Sequence, residues 1–139
     1  MSGTIAGYSI DFEVRDYELD LQGIVNNAVY LNYLEHARHT FLIRQGIDFA
    51  KLHDEGKDLI VRRVEIDYKS SLKSREKFRV TVNTYQDGNL KVIFKQDIFS
   101  LPDMKLILEA KTTGVCLTNG KLVRPENIFD MENFYTQSL

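Results

Sequence analysis

The hydrophobic pattern changes period once along this chain, and that change leaves few folds open. From Asn27 to about Arg44 the apolar residues Tyr30, Leu34, Ala37 and Phe41, with Leu31, Tyr33 and Leu42 beside them, recur at helical spacing and predict one long helix. Asn26 or Asn27 is suited to cap it, because a short side-chain oxygen there accepts a hydrogen bond from a first-turn amide. With Asn26 as the cap, Val25 and Tyr30 stand at the spacing of a hydrophobic staple. Gly46 stops the helix, and a weaker helical turn from about Asp48 to Glu55 ends at Gly56.

After Gly56 the period falls to two. In LIVRRVEIDYK, Ile60, Val64, Ile66 and Tyr68 share one face while Arg63, Glu65, Asp67 and Lys69 share the other, the pattern of a half-buried strand. Phe78, Val80 and Val82 continue the alternation. QDGN carries Asp-Gly at the centre of a tight hairpin, LPDM around Pro102 marks a second turn, and TNGK around Asn119 and Gly120 a third. With an early strand at about Tyr8 to Val14, the order is strand, long helix, then four strands in antiparallel succession. An amphipathic helix of this length needs a cover, so the predicted fold is α+β: a curved antiparallel sheet wrapped around one central helix. At 139 residues and 43% hydrophobic, the chain supports a single domain with a single core, and the segment after Pro125 reads as a loosely packed tail.

Charge and cysteine usage exclude several classes of function. The net charge is -2 with both signs interspersed, which provides no nucleic-acid footprint and no membrane-surface face; small soluble partners fit better. The single cysteine, Cys116, excludes an intrachain disulfide. The start MSGTIAGYSI lacks the basic and apolar regions of a signal peptide, and no run approaches the roughly 20 apolar residues that span a bilayer. The expected compartment is the cytosol.

Motifs narrow the chemistry by elimination. The sequence has no G-x-S-x-G nucleophile elbow, no Walker lysine, no G-x-G-x-x-G turn and no H-E-x-x-H, so serine hydrolases, NTPases, dinucleotide enzymes and zincins fall away. His36 and His39 lie one turn apart on the helix and His53 stands apart; with no third ligand in sight, the pair reads as solvated or at an interface. No metal or cofactor is expected. Cys116 alternates within a strand and reads as core.

What remains is the loop before the helix, DYELDLQGIVNN. A helix N-terminus concentrates unpaired amides and the positive end of the backbone dipole, so it favours an anion or a carbonyl oxygen gaining negative charge. A carboxylate beside it would supply a base or nucleophile, a pairing suited to acyl transfer. Asp20 lies seven residues before Asn27, with Gly23 at the bend. On the residues alone Asp20 fits a loop-turn role equally well, while Asp16 and Glu18 fit the exposed face of a strand end.

The run LDLQGIVNNAVYLNYLEHAR resembles the signature of the hot-dog-fold thioesterases of the 4-hydroxybenzoyl-CoA thioesterase group, with Asp20, Gly23, Val25, Tyr30, Glu35, Ala37 and Arg38 in register. VNNAVYL is also similar to the helix start of acyl-ACP thioesterases of the same fold. The resemblance implies a catalytic carboxylate on Asp20, a carbonyl-polarising main-chain amide at Asn27, and a site lined or supported by Gly23, Val25 and Tyr30. Many members carry an aromatic residue or histidine where this chain has Asn27, so the asparagine follows the acyl-ACP pattern. The family further implies a homodimer whose sheets join edge to edge with sites at the interface, often paired again into a homotetramer. Between Lys69 and Arg79 five basic residues face one acid, and the resemblance places this run near the entrance for coenzyme A phosphates; Lys73, Arg75 and Lys77 are the candidates, against a solvated turn as the plain alternative. The expected function is hydrolysis of an acyl-CoA or acyl carrier protein thioester. The alternatives are a non-catalytic acyl-binding protein and, lacking a histidine at the helix start, a hot-dog dehydratase or hydratase.

Overall fold

The computed structural model describes residues 7–130 and Phe134. Strand β1 spans Tyr8–Glu13 and is followed by a 3-10 turn at Asp16–Glu18, helix α1 at Asn27–Arg44 and the short helix α2 at Phe49–Asp54. Strands β2 (Lys57–Tyr68), β3 (Lys77–Asp87), β4 (Lys91–Ser100), β5 (Lys105–Thr118) and β6 (Lys121–Val123) complete one antiparallel sheet. The architecture is the expected α+β hot-dog: a curled sheet around one long helix.

Helix α1 has the bounds that its apolar period and caps predict. Asn26 is the cap, its Oδ1 accepting from the Ala28 amide at 3.0 Å, and Gly46 leaves the helix at a φ of 82° that glycine adopts without penalty. Tyr30, Tyr33, Leu34, Ala37, Phe41 and Leu42 form the buried stripe. Beneath them lie Phe78, Val80 and Val82 of β3, Val92, Phe94 and Ile98 of β4, and Leu108 and Ala110 of β5. Each large apolar side chain buried here contributes about 1.5–3 kcal/mol of transfer free energy, which lets the sheet and helix hold one another.

Four local expectations change. The sheet order is β1-β3-β4-β5-β2, so β2 pairs with β5 rather than with β3. This puts the strands with the most buried positions under α1 and leaves β2, the least buried, at an edge. A register shift between Val61 and Arg63 reverses the phase of β2: Leu59 and Val61 join Val64, Ile66 and Tyr68 on the helix side, and Ile60 turns to the other face, opposite Val115. The QDGN hairpin uses a three-residue loop, Gly88 to Leu90, between paired Asp87 and Lys91. Beyond Pro125 the chain is not loose where it is described: Pro125, Phe129 and Phe134 are buried, and Phe129 stacks on Phe134 with ring centroids 4.9 Å apart. Residues 131–133 and 135–139 of the expected tail, and residues 1–6, lie outside the described residues.

A polar cluster of Arg38, Gln96 and Thr112 interrupts the apolar interface between helix and sheet. Arg38 is only 8% exposed, and its Nη1 donates to Gln96 Oε1 at 3.1 Å and towards Thr112 Oγ1 at 3.4 Å. Gln96 Nε2 in turn donates to the Leu34 carbonyl at 3.0 Å. Burial lowers the Arg38 pKa, since removal from water disfavours the charged form, and the negative charge of Glu35 partly opposes this. Gln96 therefore carries the solvation of a buried cation. We predict that Gln96→Met, of similar volume, takes the nearer acceptor from the buried guanidinium, leaving it only the longer contact to Thr112, and lowers unfolding stability by about 1–3 kcal/mol; urea denaturation would show the midpoint falling at unchanged slope.

Candidate active site

The segment from Glu18 to Asn26 doubles back on itself before entering α1. Leu19 bridges to Val25, the Asp20 amide donates to the Ile24 carbonyl at 2.8 Å, and the Asn26 amide donates to the Glu18 carbonyl at 3.0 Å. Gly23 makes the bend with a φ of 79°, in the left-handed region that a side chain resists. Asp20 is half-buried. Its Oδ1 accepts from the amides of Gln22 at 2.8 Å and Ile24 at 3.3 Å. With the Gln22 side-chain nitrogen turned toward it, both carboxylate oxygens lie 3.2 Å from that nitrogen. Asp20 thus has the loop-turn role open to it in the sequence, carried by Oδ1. Its Oδ2 takes no part in the backbone turn.

The amides of the helix start can be accounted for one by one. Asn26 N–H is taken by the Glu18 carbonyl, Ala28 N–H by the Asn26 side chain, and Val29 N–H by the Asn26 carbonyl at 2.9 Å. The Asn27 amide has no acceptor among the described residues. It is also the first helical residue, where the backbone dipole adds to the donor.

The hairpin and helix start are stitched to the chain that follows β2. Val25 N–H donates to the Leu72 carbonyl at 2.9 Å, and the Leu72 amide donates to Tyr30 Oη at 2.9 Å. Val25, Tyr30 and Leu72 are all buried, so Val25 and Tyr30 support this region from behind. Burial raises the Tyr30 pKa, keeping the hydroxyl protonated. Ile24 bridges to Lys73, which brings that lysine beside the loop.

The three basic candidates do not converge. Lys73 lines a cleft of about 560 Å³ with Lys105, the acids Glu76 and Asp103, and Ser70, Ser71 and Ser100. Arg75 lines a separate hollow with Arg15, Asp16 and Tyr17, and Lys77 opens β3 opposite Glu13. Lys105 was invisible to sequence reasoning, because it comes from the start of β5, across the sheet from the basic run. The histidines stand elsewhere. His36 lies 5.5 Å from the Phe12 ring and His39 5.8 Å from Phe49, while His53 Nδ1 is 2.7 Å from Asp58 Oδ1, a contact that raises the His53 pKa. Cys116 is buried, and burial pushes its thiol pKa up to about 12. Among the described residues no three His, Cys, Asp or Glu side chains are grouped to hold a metal ion, and no helix is long and apolar enough to cross a membrane.

Glu18 is the residue that the alternating acids misrepresent. It belongs to a 3-10 turn rather than a strand end and is 7% exposed, because its carboxylate folds back to accept from the Arg15 amide at 2.7 Å and from the Tyr33 hydroxyl at 2.7 Å. The sequence signal was the Arg15 to Glu18 spacing of a capping box, obscured because arginine is not a usual cap.

A family model described as the thioesterase-like superfamily matches residues 14–131, a span that contains this loop, the helix and most of the sheet. The chain belongs to the thioesterase-like superfamily. Among the relatives of this superfamily, a chloroplastic acyl-acyl carrier protein thioesterase of Arabidopsis thaliana is 39% identical over 112 residues, covering 81% of this chain and 59% of the plant protein. The long-chain acyl-CoA thioesterase of Escherichia coli is 29% identical over 105 residues, covering 76% and 79%. The chain spans about three-fifths of the length of the plant relatives it matches. In fold it superposes on a 1,4-dihydroxy-2-naphthoyl-CoA thioesterase from Synechocystis with a TM-score of 0.84, covering 91% of this chain and 95% of that one at 15% identity.

Proposed function

We propose that this protein hydrolyses an acyl thioester, of coenzyme A or of an acyl carrier protein, to a free acid and a thiol. The observation that carries the reading is the unpaired Asn27 amide at the start of an 18-residue helix, preceded by a hairpin that holds the carboxylate of Asp20. The thioester carbonyl accepts from Asn27 N–H, and the amide and helix dipole stabilise the negative charge that develops on that oxygen. Asp20 uses its outer oxygen as base toward a water, or as nucleophile on the carbonyl carbon. In the base route the water oxygen bonds to the carbonyl carbon as Asp20 takes its proton, the C–S bond breaks and the thiolate recovers the proton as thiol. In the nucleophile route Asp20 displaces the thiolate to form an acyl anhydride, which a water hydrolyses to the free acid and the restored carboxylate, its second proton going to the thiolate. The names of the curated relatives, one acting on carrier-protein thioesters and one on long-chain acyl-CoA, support this class of substrate. Asp20→Asn keeps the Oδ1 bonds to Gln22 and Ile24 while removing the charge. Its kcat for acyl-CoA should fall about 10²- to 10⁴-fold with the melting temperature close to wild type; full thiol release from a well-folded variant would sink the assignment.

The thiol arm leaves the site past the loop that Lys73 shares with Ile24. Lys73 and Lys105 share one cleft with three serines and with Glu76 and Asp103; of the basic candidates they lie on the side of the loop, whereas Arg75 and Lys77 face elsewhere, so the two lysines are the ones placed to meet the phosphate of that arm. Replacing Lys73 and Lys105 with Gln should raise KM for acyl-CoA several-fold and weaken its salt dependence, while an acyl-pantetheine thioester without phosphates is little affected. Equal losses on both substrates would contradict a phosphate-binding role.

The site is completed by a second copy of the chain. Strand β2 is 12 residues long, lies at a sheet edge and exposes Ile60, Val61, Val64 and Tyr68, a combination that invites pairing. Its helix-side residues run alongside α1 to Tyr68, whose ring sits 5.7 Å from Tyr30 near the helix start. A partner joined at β2 covers this apolar strip, giving the acyl chain a dry seat between α1 and the edge. Ile60→Lys with Val64→Lys should yield monomers in sedimentation velocity and lose activity together with the dimer. A wild-type protein that sediments as a monomer at micromolar concentration with full specific activity would require a site built within one chain.

A further inference from the structure

Asp20 and the Asn27 amide belong to different elements, a hairpin loop and a helix, so their separation depends on whatever fixes one to the other. The hairpin's own bonds run within residues 18–26, and the Val25 and Tyr30 bonds to Leu72 anchor its far strand. Its near strand, which carries Asp20, is held to the body of α1 through Glu18. The carboxylate Oε1 of Glu18 receives the hydroxyl of Tyr33, one and a half turns into the helix, and the amide of Arg15, while the Glu18 carbonyl receives the cap amide of Asn26. Tyr33 is itself immobilised, packed against Phe78 with ring centroids 4.6 Å apart and against Phe12 at 5.7 Å. Glu18 is thus a buried acid committed at both ends: side chain to the helix body, main chain to the helix cap.

We propose that Glu18 and Tyr33 form a positioning pair that sets the placement of Asp20 against the Asn27 amide, and so governs kcat without touching substrate. The inference rests on the thioesterase reading above. Hydrogen-bond acceptance by Glu18 is what matters, and its charge is secondary. Burial and the neighbouring carboxylate of Glu18 raise the Tyr33 pKa, so Tyr33 stays the donor throughout the working pH range. Freed from this tie, the near strand of the hairpin shifts, and a displacement of an ångström at a reacting group costs about a hundredfold in rate.

The test combines kinetics with amide hydrogen exchange on Tyr33→Phe, Glu18→Leu, Glu18→Gln and the Tyr33→Phe, Glu18→Leu double variant. Tyr33→Phe keeps the packed ring and removes only the hydroxyl, so it remains informative if Glu18→Leu fails to fold. It should lose about ten- to a hundredfold in kcat with KM changed less than about threefold, and the double variant should be no worse than Glu18→Leu alone, in which the Tyr33 contact is already lost along with that to the Arg15 amide. Glu18→Gln, whose amide oxygen still accepts, should recover most of the rate. Exchange at the Asn26 amide should quicken in Tyr33→Phe and return to wild type in Glu18→Gln, a readout that requires no turnover. Wild-type kcat in Tyr33→Phe, or a Glu18→Gln variant as impaired as Glu18→Leu, would overturn the pair. If Asp20→Asn is inactive while Tyr33→Phe is unimpaired, the pair fails and the thioesterase reading stands. If Asp20→Asn is fully active, that reading fails, and faster Asn26 exchange in Tyr33→Phe still reports whether the mechanical tie exists.

Discussion

A helix cannot satisfy its own first amides, and in this protein that constraint organises everything around α1. The Asn26 side chain takes one amide, the Asn26 carbonyl another, and the Glu18 carbonyl takes the amide of the cap itself. Asn27 N–H is left over. The helix start lies against chain that is otherwise bonded: Val25 and Tyr30 tie Leu72, and Ile24 bridges to Lys73. Asn27 is exposed, so this left-over donor is open to water or to an incoming acceptor, and the positive end of the helix dipole favours an oxygen carrying negative charge there.

The rest of the architecture makes that donor usable. The sheet curls so that β3, β4 and β5 bury the inner face of α1, with Arg38, Gln96 and Thr112 forming a polar tie in the middle. The edge strand β2 remains less covered, and its apolar residues run alongside the helix toward Tyr68 and Tyr30. A donor at one end of this apolar strip is the arrangement that the proposed thioester, with its polar carbonyl and its hydrocarbon tail, would fit. The same uncovered edge is the surface that the proposed second copy would cover.

The sequence was most legible where structure is decided locally. Asn26, the 3.6-residue stripe and Gly46 specify α1 end to end, and Asn119-Gly120, both at positive φ, specify a two-residue turn. The order of strands was not legible, because pairing β2 with β5 is decided by which strands can be buried on the inner face, a property of the assembled sheet. The bulge after Val61 has no local signature either, and it moved Ile60 to the opposite face. At the site, the loop and helix start could be read from DLQGIVNN. Glu18 was misread because its alternation with Asp16 and Asp20 imitates a strand. The acceptor role appears only when Tyr33, fifteen residues on, is brought beside it. Lys73 and Lys105 likewise share a cleft only after the end of β2 is bonded to β5, where the Lys69 and Ser70 amides donate to the Ile107 carbonyl.

The claim at the centre of this account is geometric: a substrate carbonyl is held by the Asn27 amide with residue 20 beside it. A crystal structure of the Asp20→Asn protein with an intact acyl-CoA bound tests it directly. The account predicts the thioester carbonyl oxygen at about 2.7–3.2 Å from Asn27 N and the substituted side chain at position 20 within reach of the carbonyl carbon. An acyl-CoA whose carbonyl lies away from the helix start, with the Asn27 amide bonded to solvent, would contradict it.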